Sequence, residues 1–215
     1  MKIYIYFLLL FLTQVYSQNY SFDFVTKYKT ADSDRTFESI VYSNSLSEEY
    51  ILKLYYNSEG KLSGWIMDQK NNYFHYFDID VINEKEENQL IFNYINSKRF
   101  NSNNSVYQHE FEYIETPIDS LKSKLIINSY KNKKRKKPFR TYELEVIHFE
   151  SNKFSNFRWS IHHLYEGNKN FNPRQNYLVQ SYIYKNTLGE TSTWNLVEYD
   201  NVKINITVKD IVLKQ

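Results

Sequence analysis

The 215-residue chain has no cysteine, only 4 glycines, only 3 prolines and a single alanine, Ala31. Without cysteine there is neither a disulfide framework nor a thiolate zinc site, and the acylated cysteine that anchors a lipoprotein is missing. Four glycines scattered singly build no phosphate-cradling loop. Charge of one sign is lacking too: the net charge of +2 is too small for a general nucleic-acid footprint, so no nucleic-acid partner is expected. Beyond the N-terminus no apolar run approaches the roughly 20 residues of a membrane-spanning helix.

Aromatic residues are abundant: Tyr 21, Phe 15 and Trp 3 make up 18% of the chain. Aromatic and β-branched side chains suit a pleated, half-buried surface. The first residues read as an export signal. Lys2 is followed by an apolar stretch from Ile3 to Leu12 and then by Thr13 and Gln14, with compact Val15 and Ser17 placed for a cut before Gln18. Residues 1–17 are therefore expected to be a signal peptide and residues 18–215 one β-rich domain, soluble after cleavage, in a periplasm or outside the cell. Asn-x-Ser/Thr sequons at Asn19, Asn103 and Asn205 carry meaning only in a eukaryotic secretory pathway.

Periodicity gives the fold class. Tyr20, Phe22 and Phe24 alternate with Ser21 and Asp23; Tyr142, Leu144 and Val146 alternate with Glu143 and Glu145; Val202, Ile204, Ile206 and Val208 alternate with polar residues. Each pattern reads as a strand with one dry and one wet face. Asn57-Ser58-Glu59-Gly60 predicts a hairpin between Tyr50–Tyr56 and Lys61–Asp68, with Gly60 at positive φ. Asn71-Asn72 opens Tyr73–Ile82, and a charged turn over Asn83–Asn88 leads to Leu90–Ile95. Further strands are expected over Val106–Ile114, Lys124–Lys131, Phe139–Phe149, Tyr177–Lys185 and Thr191–Tyr199. About a dozen short strands predict a large curved antiparallel meander, a half-barrel or open barrel, because a wide sheet must curl. One short helix is expected where Phe157, Ile161, Leu164 and Tyr165 share a face, capped by Ser155 or Asn156 and ended by Gly167.

The signal ending in Ser17-Gln18, the early Phe24–Tyr28 strand, the stretch Asn57–Asp80, the basic hairpin and the closing Val202–Val208 strand resemble uncharacterised exported proteins of Bacteroidetes. At the level of fold, a long meander with a small helical lid is similar to the half-barrel of LolA-like lipoprotein carriers. That similarity implies an architecture and transfers no functional residue.

Motifs for chemistry are scarce. The five histidines, His75, His109, His148, His162 and His163, show no His-x-x-x-His or His-Glu-x-x-His spacing, and neighbours such as His162-His163 diverge, so no metal site is expected. Gly60-Lys61-Leu62-Ser63-Gly64 has its serine one place late for a nucleophile elbow. Asp78 and Asp80 share one strand face, as a wet face does, whereas glycosidase carboxylates flank substrate from opposing elements. No catalytic residue and no cofactor is assigned.

Two local features stand out. Lys131, Lys133, Lys134, Arg135, Lys136 and Lys137, with Arg140 close behind, concentrate seven positive charges in a turn between two strands. Such a run is ordinarily a solvated loop; functionally it would dock on an anionic envelope surface. In Tyr73-Phe74-His75-Tyr76-Phe77 both strand faces carry large rings. Core packing accounts for that, and the sharper alternative is a ligand groove lined by Trp65, Phe74 and Tyr76. The sequence thus points to a non-enzymatic exported protein holding a lipid or other apolar or amphiphilic ligand. Its alternatives are an envelope interaction module and a hydrolase without a recognisable motif. An outer-membrane barrel is disfavoured, because Lys203, Asn205, Thr207 and Lys209 make one face of the last strand polar.

Overall fold

The computed structural model describes residues 17–31, 36–84, 87–100, 110–131, 137–161, 171–185 and 191–208. Residues 1–16 of the expected signal peptide, His109, His162, His163, and Lys133, Lys134, Arg135 and Lys136 of the basic turn lie outside them.

Among the described residues, eleven antiparallel strands form one unclosed sheet, with one short helix packed on it. In chain order they are β1 (Gln18–Ala31), β2 (Thr36–Asn44), β3 (Ser47–Tyr56), β4 (Leu62–Asp68), β5 (Tyr73–Glu84) and β6 (Glu87–Arg99). Then follow β7 (Glu110–Pro117), β8 (Lys122–Tyr130), β9 (Arg140–His148), helix α1 (Phe154–Ser160), β10 (Tyr177–Lys185) and β11 (Thr191–Val208). The spatial order is β6-β5-β4-β3-β2-β1-β11-β10-β9-β8-β7, so the terminal strands pair at the centre and two meander arms run outward from them.

Chain length requires this sheet to curl. The edge strands β6 and β7 lie ten strand spacings apart, about 48 Å on a flat sheet. Ten antiparallel steps leave them pointing the same way, so the link from Arg99 to Glu110 must also run from one end of the sheet to the other. Fully extended, that link reaches only about 40 Å. The sheet is a curved, open half-barrel.

Register shows what each face buries. On β1, Tyr20, Phe22, Phe24, Thr26, Tyr28 and Thr30 are all buried, while the residues between them are less so. Phe154, Phe157 and Ile161 at the helix pack with Tyr28, Leu144, Val146, Val179, Tyr182 and Trp194 into the larger core. On the other arm, Val41, Ile51 and Met67 pack with Trp159 on the helix-bearing face. The alternate residues Leu52, Leu54, Ile66, Phe77 and Ile79 meet Tyr20, Phe22, Ile206 and Val208 on the opposite face. Strands β3 and β4 are therefore held between α1 on one side and the ends of β1 and β11 on the other. That is why Ile51–Leu54 and nearly all of β4 are buried without alternation.

Several sequence expectations meet the structure closely. Gly60 takes φ +74°, and Asn57 and Lys61 close the hairpin, Asn57 N–H donating to the Lys61 carbonyl at 2.9 Å. Asn72 precedes β5 at φ +62°. Others are corrected. The Asn83–Asn88 segment is no open turn, because Asn83 pairs Asn88 and Glu84 pairs Glu87 within the hairpin ladder. Strand β2 was absent from the sequence reading, since its helix-side residues Ser39, Val41 and Ser43 are buried although two are polar. Thr191–Tyr199 and Val202–Val208 are one strand of 18 residues, kept continuous by two irregularities against β1.

The helix also differs from expectation, starting earlier and ending before Gly167. The Asn152 side chain accepts the Phe154 N–H at 3.0 Å, so Ser155 and Asn156 lie inside the helix. Asn156 instead bridges to β1 and β2, its amide donating to Thr26 Oγ1 and to the Val41 carbonyl. Ile161 is already extended. At that end the fully buried Lys53 donates from Nζ to the carbonyls of Trp159 (2.8 Å) and Ser160 (3.0 Å). A cation at a helix C-terminus satisfies orphan carbonyls and complements the dipole. Burial pushes the Lys53 ammonium down to about 7.

Replacing this donor with an apolar isostere leaves two buried carbonyls without it. Lys53→Met should lower unfolding stability by about 2–4 kcal/mol, read as a fall in the urea midpoint. An unchanged midpoint would show that the helix end is fixed by packing alone.

Candidate functional site

The three residues expected to line a groove do lie together. Trp65 and Tyr76 are register partners, as are Met67 and Phe74, all on the helix-bearing face. The Trp65 and Phe74 rings meet edge-on at 5.4 Å, Phe74 and Tyr76 at 6.1 Å, and Phe74 and Phe100 at 4.9 Å. Lys98 Nζ stands 5.6 Å from the Tyr76 ring centre. All three side chains are half-buried, in a cluster completed by Met67 and Trp159.

A cavity of about 780 Å³ opens on the same face of the sheet but on the other arm, against β7, β8 and the start of β10. Phe111, Tyr113, Leu125 and Tyr177 supply its apolar wall, and the segment 171–177 and Asn152 border it. Asn152 ties that border together, donating from Nδ2 to Asn172 Oδ1 at 2.9 Å and to the Pro173 carbonyl at 3.3 Å. Phe171 anchors it from within the core, with ring contacts to Phe111, Tyr142 and Phe154.

Two carboxylates and one guanidinium complete the lining, Glu110, Glu115 and an exposed Arg174. Glu115 shares the β7 face of Phe111 and Tyr113. Its partial burial favours the neutral acid, but hydrogen bonds from Tyr177, Ser123 and Gln175, with His148 nearby, hold the carboxyl below its ordinary value. The Tyr113 hydroxyl is pushed up to about 12, chiefly by burial. None of these lining residues was singled out from the sequence. The available signal was Phe111, Tyr113 and Glu115 at alternate positions, a carboxylate continuing an otherwise aromatic face.

The basic turn is described only at its base. Lys131 and Lys137 are exposed and Arg140 is half-buried. Exposed Phe139 sits between them, with Lys131 Nζ at 4.2 Å and the Arg140 guanidinium at 5.9 Å from its ring centre, and Arg140 also faces Tyr184.

Two serine–histidine contacts bear on nucleophilic chemistry. Ser123 Oγ lies 2.9 Å from His148 Nε2, but Ser123 is fully buried, and Glu115 approaches that same nitrogen at 3.4 Å. A relay needs base and orienter on opposite ring nitrogens. At the other end of the sheet, Tyr94, Ser97, His75, Tyr20 and Asp68 form a chain of contacts of 2.6–3.0 Å. Tyr20 donates to Asp68 and therefore accepts from His75 Nε2, which leaves Nδ1 to accept from Ser97. Asn71 donates to both Asp68 oxygens. Burial pushes the His75 imidazole down to about 4, against the opposing pull of Asp68, which makes it a poor base. This chain ties β1, β4, β5 and β6 together through the core. Ser63 is buried on β4, and Gly64 beside it lies so close to Leu54 that a Cβ would stand 2.6 Å from Leu54 Cδ2. No room exists there for a nucleophile elbow. Asp78 and Asp80 are exposed, and Asp80 accepts from Asn93.

Among the described residues no three His, Asp or Glu side chains converge as a metal site requires, and no helix is long and apolar enough to cross a membrane. No family model matches the chain, and no curated protein matches it.

The buried His75 makes stability depend on pH with a definite sign. Its folded-state value near 4 lies below the ordinary 6.5, so below pH 6.5 the unfolded chain binds a proton that the folded chain refuses. That stability is complete above pH 6.5 and is lost as pH falls toward 4. Between pH 7.5 and 5 the loss should be about 2 kcal/mol, and urea titrations of His75→Gln should lack this component of the slope. An equal slope in the variant would assign the dependence to other groups.

Proposed function

We propose that this chain is an exported, non-enzymatic binding protein that shelters a small apolar or amphiphilic ligand in the cavity between β7, β8, β10 and the segment 171–177. The cavity itself is the observation that carries the reading. Its volume of about 780 Å³ falls within the range of small-molecule sites, and its wall sets Phe111, Tyr113, Leu125 and Tyr177 among carboxylate, amide and guanidinium groups, a lining suited to an amphiphile. A curved sheet with a helix packed on one face suits this use, because the same curvature that buries the core leaves a recess beside the start of the helix. The aromatic cluster of Trp65, Phe74 and Tyr76 is a second apolar surface on that face, on the other arm of the sheet. The basic turn at Lys131–Lys137 gives the molecule a cationic end with which to approach an anionic envelope surface.

A hydrolase is less well supported. The only two serine–histidine pairs among the hydrogen bonds of the described residues have the wrong geometry or a poorly basic imidazole.

Native mass spectrometry of the chain purified from its own compartment tests this reading. The expected spectrum shows a chain beginning at Gln18 with an amphiphile bound one to one, released by organic extraction. A chain that arrives empty and takes up no fluorescent alkyl probe overturns it.

A further inference from the structure

We infer that the ligand of the β7–β10 cavity carries a cationic head, an alkylammonium group, seated against Glu115 with its apolar part on Phe111, Tyr113 and Leu125. The inference rests on the binding reading above and adds the chemistry of the head.

Three observations carry it. Glu115 lies on the face of β7 that also bears Phe111 and Tyr113, at alternate positions, so one strand sets a carboxylate next to the Tyr113 ring and in line with Phe111. Carboxylate and aromatic faces together are the surroundings that desolvated ammonium groups seek, the first by charge and the second through the ring quadrupole. Secondly, the carboxylate is built in. Tyr177, Ser123 and Gln175 hold it by hydrogen bonds, and Ser123 and Tyr177 are themselves buried, so the negative charge is fixed in position before a ligand arrives. Thirdly, the balance of charge favours a cation. Among the described residues that line the cavity, Glu110 and Glu115 are carboxylates and the cation Arg174 is exposed to solvent. An anionic head such as a carboxylate would be brought beside these like charges.

The test compares three probes of equal chain length, decylamine, decanoate and decyl glucoside, each below its micelle concentration, by isothermal titration calorimetry on the full exported chain. Decylamine should bind about tenfold more tightly than decanoate, the contrast expected of one partly desolvated charge pair. Glu115→Gln, of nearly the same shape, should abolish that preference. Because Gln at 115 loses the charge that its donors were arranged for, a second variant at an exposed position is included. Arg174→Glu should widen the preference for the amine several-fold without touching the core. Decanoate or decyl glucoside binding as tightly as decylamine overturns the cationic head while leaving the binding reading intact. Retention of the amine preference in Glu115→Gln overturns the role of Glu115. Failure of all three probes overturns the head-group inference together with the cavity reading on which it rests.

Discussion

Because β1 and β11 are hydrogen-bonded to each other at the centre of the sheet, residues 18–31 and 193–208 must meet before the two arms become one surface. Sixteen residues of β11 lie opposite fourteen of β1, and the two additional residues are taken up at the irregularities near Phe22/Phe24 and Lys27/Tyr28. Each insertion bends and twists a strand locally. It also reverses which residues of β11 face inward, so that Val208, Ile206 and Ile204, then Tyr199, then Leu196 and Trp194 oppose the inward side chains of β1. This one pairing feeds both cores: its Tyr20 end packs under β3–β5, and its Tyr28 end packs under the helix.

The helix has only seven residues, too short to be stable by its own hydrogen bonds. Tertiary contacts hold it, and several are charged or polar. Lys53 reaches its last carbonyls from β3, Lys153 at its start donates to Ser45 Oγ at 2.6 Å and lies over the Phe24 ring, and Asn156 joins it to β1 and β2. Buried cations of this kind are costly unless their hydrogen bonds are made, so they specify one docking position where an apolar interface would tolerate sliding. The positions of α1 and of Asn152 just before it set one border of the cavity.

The strand-rich class and most strand positions were legible because one-faced strands keep a period of two. Tyr142, Leu144 and Val146 alternate cleanly, and β9 contains them as expected. Legibility failed where that condition failed. In β2 polar Ser39 and Ser43 point inward, so burial left no apolar alternation to read. In β11 the insertions shift the alternation, and the shift reads as a break between two strands. Lys53, between Leu52 and Leu54, looks like an ordinary wet-face lysine, and only the arrival of a helix end from a distant part of the chain makes it a buried donor. The grouping of Trp65, Phe74 and Tyr76 was readable because a hairpin turn fixes the register between neighbouring strands. The cavity was not, because its walls come from β7, β8, β10 and the segment 171–177, which no local pattern links.

The placing of the cavity follows from the topology. On the arm of β2–β6, both faces of the middle strands are covered, by Trp159 on one side and by the ends of β1 and β11 on the other. The arm of β7–β10 has no second sheet layer to fold beneath, and a seven-residue helix spans about 10 Å, roughly two strand spacings. It packs on β1, β2, β3 and β10, and the outer strands of this arm are left to the segment around Phe171. Phe171 fills the inner part of that gap against Phe111 and Tyr142, and beyond it Glu115, Tyr113 and Tyr177 line the cavity. A sheet too wide for its helix, with its other arm already filled, leaves its recess beside the free edge strand β7. There a carboxylate on an inward-facing position of the strand can remain ionised.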